Sequence, residues 1–142
     1  LAFYRAAMQR GDDTIVRGAL LALGFYQLGL GGLMALAPAT FYDLLGPFGS
    51  YNAHYVRDAA TWELTLAAGA FVAAARAAWR VPVLALALVH TVLHALNHLL
   101  DVGEADPSWV GIFVLAGLTA LAAALAWLTA RAHRTAIEKS PA

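Results

Sequence analysis

The sequence predicts an all-α fold: an integral membrane protein built as an antiparallel four-helix bundle, with both termini in the cytoplasm. Three observations carry this expectation. The composition is 61% hydrophobic and 13% charged, whereas a soluble domain is roughly a quarter charged and about half apolar. The apolar residues are gathered into runs that match the roughly 20 helical residues needed to cross a hydrocarbon core. The positive charges lie almost entirely on one side of those runs.

The first span, near 15–37, holds Gly18–Ala37, 20 residues without a charged side chain. The second, near 59–79, carries Glu63 toward one end and Arg76 at the other, where each can reach an opposite interface. The third, near 81–100, and the fourth, near 107–130, contain no Lys, Arg, Asp or Glu. The whole of 1–142 reads as one transmembrane domain. The first apolar run begins too late and is too long for a cleaved secretory signal. The chain starts without Met, so residues are expected to precede Leu1.

Ahead of the first span, residues 1–14 read as a short amphipathic segment. Thr14 is the expected N-cap, with Asp12 and Asp13 near the positive helix end. Pro38 closes the first helix. The outer loop, 38–58, carries Phe41, Tyr42, Phe48, Tyr51 and Tyr55, an aromatic set suited to headgroup level. Pro47 and Gly49 supply turns, so the loop is expected to lie folded on the outer surface. A very short turn at 79–81 makes spans two and three a hairpin. Pro82 and Pro107 fall in first helical turns, where proline is tolerated. Gly24, Gly29, Gly31 and Gly32 offer close approach to a neighbouring helix. So do the alanine rows Ala70, Ala74, Ala78 and Ala116, Ala120, Ala124.

Orientation follows from Lys and Arg, of which there are nine. Arg5, Arg10 and Arg17 precede the first span, Arg76 and Arg80 flank the hairpin turn, and Arg131, Arg134 and Lys139 follow the fourth. With four spans these lie on one side, and Arg57 alone lies on the other. The positive-inside rule makes the richer side cytoplasmic, in a multi-pass protein of the inner (plasma) membrane. Net charge is zero, which argues against nucleic acid as a partner. The absence of cysteine excludes disulfides, thiolate chemistry and cysteine-ligated zinc or iron–sulfur centres.

The chemistry-bearing feature is in the third span: His90, His94, Asn97, His98 and Asp101. At helical periodicity these side chains form one stripe, rising from mid-membrane to the outer interface. His54 and Asp58 stand near the outer start of span two, with Thr61, Trp62 and Thr65 on about the same face. Ideal geometry points Glu63 elsewhere. Polar groups at this depth need partners and usually face an interior or a cavity. The candidate metal ligands are therefore His54, Asp58, His90, His94, His98 and Asp101, with Glu63 a further possible donor. Histidines four residues apart can share an ion, whereas His90 and His98, about 12 Å apart along the axis, cannot. An imidazole–carboxylate set suits Zn, Cu or Fe. Haem is a further option, with His54 the one partner for bis-histidine ligation. Hydrogen bonding between helices and a proton relay are the competing uses of the stripe.

The run Tyr51-Asn52-Ala53-His54-Tyr55-Val56-Arg57-Asp58, followed by His90, His94 and His98, resembles a group of small four-helix membrane proteins of high-GC (actinobacterial-type) bacteria. The likeness extends over about 15–130 and includes Phe41-Tyr42-Asp43. This chain departs from it with Ala53 where Glu is common and Val89 where Pro is common. The general shape also resembles DoxX-type proteins. Both likenesses imply a fold and no reaction.

Three functional expectations follow. The first is a small polytopic membrane subunit whose outer-facing His/Asp cluster binds a metal or cofactor. The second is a purely structural accessory subunit packing against other membrane subunits or itself. The third is a transporter or a component of a membrane oxidoreductase.

Overall fold

A computed structural model describes the backbone of residues 2–138 and the side chains of 11–137. Arg5, Arg10 and Lys139, used above for orientation, and the aromatic side chains of residues 1–10 lie outside the described side chains. The described residues form five α-helices and one short 3-10 turn, with no strand. The helices are α1 (Ala2–Leu36), α2 (Pro38–Leu44), α3 (Ala53–Ala75), α4 (Arg80–Leu100) and α5 (Trp109–Glu138). Three stretches are long and apolar enough to cross a membrane: Gly11–Leu36, Ala77–Leu100 and Trp109–Ile137.

α3 is 23 residues long but carries Asp58 and Glu63 in its first half and is rich in alanine. Its position accounts for that composition. α1 packs mainly on α3 and α4 mainly on α5, with slighter contacts joining the two pairs. α3 buries Ala60, Glu63, Ala67, Ala70 and Ala74 as one stripe, so close backbone packing replaces large apolar side chains on that face. Gly24 and Gly31 receive this helix. A Cβ at Gly24 would lie 2.8 Å from the Phe71 ring, and one at Gly31 would lie 2.9 Å from Leu64 and 3.0 Å from the Glu63 Cβ. Gly29 and Gly32 have open space instead, so only two of the four glycines expected to admit a neighbour do so. They lie off the α3-facing side of α1. Ala78 is exposed because it falls in the turn, and Ala116, Ala120 and Ala124 face outward on α5.

Helix ends depart from expectation in ways the local chemistry explains. Thr14 is not an N-cap, since α1 runs through it from Ala2. Asp12 and Asp13 form ion pairs instead. Arg80, 8% exposed, donates to both carboxylate oxygens of Asp13, at 2.6 and 3.4 Å. Arg131 donates to Asp12 through two nitrogens, one at 2.8 Å, and its guanidinium lies over the Trp127 ring at 4.7 Å. These bonds bring the early part of α1, the start of α4 and the late part of α5 to one end. The second helix stops at Ala75, not at residue 79. Arg76 takes an extended conformation, and Ala77–Trp79 forms the 3-10 turn into α4.

The expected outer loop is partly helical. Pro38 closes α1 and begins α2. α3 starts at Ala53, where the Asn52 side chain accepts from the N–H groups of His54 (3.0 Å) and Tyr55 (3.4 Å), a standard N-cap. Between α2 and α3, Phe48 bridges to Ala105 of the α4–α5 connection, and Asp106 N–H donates to Pro47 carbonyl at 3.1 Å. Gly49 turns the chain at φ 60°.

The buried apolar core lies toward the ion-paired end. Val16, Leu20, Leu66, Leu84, Leu125 and Leu128 belong to it. The other half of the molecule holds a cavity between the two helix pairs.

Candidate metal centre

The cavity measures about 980 Å³. Tyr26 and Met34 of α1, Phe48, and Phe113 and Leu118 of α5 supply apolar and aromatic walls. α3 and α4 supply the polar wall, on which Glu63, His90 and His94 gather. One donor atom from each lies within 4.8 Å of the others, so the three can hold a metal ion. His90 Nε2 is 3.7 Å from Glu63 Oε1. The Glu63 side chain is 8% exposed and that of His90 20%.

The stripe on α4 continues beyond these residues. His94 and His98 approach through their Nε2 atoms at 3.0 Å. His98 Nδ1 is buried without a hydrogen-bond partner. Phe48 packs edge-on against the His98 ring, with centroids 4.6 Å apart. Asn97 donates to Asp101 at 3.4 Å. Neighbouring imidazoles along the stripe have centroids 5.6 Å (His90 to His94) and 4.7 Å (His94 to His98) apart.

Four of the six residues expected from sequence therefore line the cavity: His90, His94, His98 and Asp101. His54 and Asp58 do not join them. They pair with each other one helical turn apart, at 3.3 Å, with side chains 78% and 63% exposed. That leaves His54 on an outward face and not opposite the stripe. Glu63, which ideal geometry directed elsewhere, takes their place. A signal for it was present. Stepping back from Ala74 and Ala70 by three or four residues reaches Ala67, Glu63 and Ala60, so Glu63 lies on the packed face.

Trp62 completes the polar wall. Its indole N–H donates to His90 Nδ1. The neutral His90 ring then carries its proton on Nε2, the nitrogen facing Glu63. Were Nε2 to ligate a metal, that proton would have to move to Nδ1 and the indole turn away, because two N–H groups cannot share a bond.

No family model matches the chain, and no curated protein or solved structure matches it. Fold and site together define a class only: an all-helical protein with three helices fit to cross a membrane and a two-histidine, one-carboxylate group able to hold a metal.

Proposed function

We propose that this chain is a small polytopic subunit of the plasma membrane that holds one transition-metal ion on Glu63, His90 and His94. One observation carries the reading. A carboxylate, 8% exposed on its side chain, faces two imidazoles at ligand spacing. A buried carboxylate is costly unless a cation or a protonated partner compensates it. Two histidines and one carboxylate suit Zn, Fe or Cu and leave coordination positions open. Zn would make the centre a Lewis acid, whereas Fe or Cu would extend the subunit to a membrane oxidoreductase component.

In this reading α3 is the second of four spans in an antiparallel bundle. Its length and its cover by α1 support that, and the likeness to small four-helix proteins of high-GC bacteria agrees with it. Both termini are cytoplasmic by the arginine distribution, so the centre lies in the outer half.

Metal analysis with a visible spectrum, on protein purified from its native membrane, is the direct test. The expected result is one ion per chain, lost in both Glu63→Gln and His90→Ala. A wild-type protein that takes up no Zn2+, Cu2+ or Fe2+ would overturn the proposal.

A structural accessory role is the second reading. Its support is the row Ala116, Ala120 and Ala124, which is exposed on α5 and is smooth enough for a neighbouring helix.

A further inference from the structure

We propose that the cavity binds a lipid-soluble molecule with a single neutral oxygen donor, a phenol or alcohol on a long apolar body, whose oxygen takes an open position on the metal. The inference rests on the metal reading above. Glu63, His90 and His94 all line the cavity, so an ion they hold has protein on one side and the cavity on the other. Three protein ligands leave a position for a further donor, and that position opens into this space.

The walls decide what the donor is attached to. A volume of about 980 Å³ is at the upper end of small-molecule sites, which run to about 1,000 Å³. Opposite the metal ligands the lining is apolar, including Leu30, Phe113, Val114 and Leu121. Such a surface favours an alkyl or aryl body through burial alone. The charges decide the head. Among the described residues no Lys or Arg lines the cavity, while Glu63 and Asp101 do. An anionic lipid head would meet two carboxylates with only the metal to offset them, whereas a neutral hydroxyl meets a metal and imidazole donors.

The probes are 4-nonylphenol, nonylbenzene and 4-nonylbenzoate, added to Co2+-loaded protein in a maltoside detergent while the Co2+ visible bands are followed. 4-Nonylphenol is expected to shift the bands saturably. Nonylbenzene, with the same tail and no donor, is expected to leave them unchanged. Gly117 lines the cavity, and a Cβ there meets nothing within 4 Å. Gly117→Phe therefore fills space without a backbone clash. It is expected to keep the Co2+ spectrum, which shows an intact centre, and to weaken the phenol response by roughly tenfold or more.

The outcomes separate the two proposals. Failure of Co2+ to bind overturns the metal reading and this inference with it. Co2+ binding with bands indifferent to 4-nonylphenol overturns this inference alone. An undiminished response in Gly117→Phe places the phenol elsewhere and also overturns it. A stronger response to 4-nonylbenzoate overturns the neutral head.

Discussion

At the scale of single residues, Glu63 and Trp62 pull against each other through His90. On the metal reading Glu63 would supply the charge a cation needs, while the Trp62 indole holds His90 in the tautomer that would have to change for Nε2 to become a ligand. A hydrogen bond of this kind contributes about 1 kcal/mol net. Trp62→Phe should then tighten Zn2+ or Co2+ binding roughly fivefold, read by competition with a chromophoric chelator. Unchanged or weakened affinity would show that the indole does not oppose ligation. Glu63→Gln should behave differently. Without a cation the buried carboxylate is itself costly, so this variant should fail to take up the metal while matching the thermal midpoint of the metal-free wild type. A large drop in midpoint would mark Glu63 as a packing residue instead. Acidification should release the ion, because imidazole and carboxylate ligands bind deprotonated. The residue-scale site was half legible in the sequence. The His90, His94, His98 stripe follows from four-residue spacing alone. His54 and Asp58 share spacing and residue type with the residues that line the cavity, yet they face outward, because rotation of α3 is set by its small-residue face and not by its polar one.

At the scale of elements, rotation of α3 depends on α1. Gly31 lets the Glu63 backbone and Cβ lie against α1, and any Cβ there would come within 3.0 Å of both Leu64 and Glu63. Gly31→Val should push α3 outward, displace the carboxylate and reduce metal affinity by roughly tenfold or more, the scale of a lost supporting contact. Gly29→Val, which meets open space, should do neither. Equal effects from the two variants would separate the site from this helix contact. The ends of the elements were the least legible part. Charge-free runs mark where apolar helix must exist, but they say nothing of how far it continues. Asp12 and Asp13 sit at a composition boundary that reads as a helix start. The helix runs through them because Arg80 and Arg131, 67 and 119 residues away, supply their partners. Losing one partner of a buried pair costs about 3–5 kcal/mol. Asp13→Ala, which leaves Arg80 largely buried and uncompensated, should therefore lower the unfolding midpoint in detergent markedly. A midpoint within error of wild type would show that the pair does not hold the ends together.

At the scale of the whole molecule, the two halves have different work. One end is closed by the leucine core and the arginine–aspartate pairs, and the other opens into the cavity beside the histidines. Which end faces which compartment decides where a metal or a lipophilic ligand enters. If α3 is a span, eight of the nine basic residues in the sequence share one side of the chain, and such a bias sets orientation when it lies within short loops. The same asymmetry makes mechanical sense. Arg80 and Arg131 anchor the closed end through Asp13 and Asp12, and on the proposed topology the same two arginines would mark that end as cytoplasmic. Reporter fusions give a direct reading. A phosphatase active only outside the membrane, joined after Glu104, should be active, and the same reporter joined after Asp13 should be silent. The reverse pattern would turn the cavity toward the cytoplasm. Activity at both positions, or at neither, would mean an odd number of spans between them is wrong. In that case α3 lies outside the bilayer and the four-span reading fails.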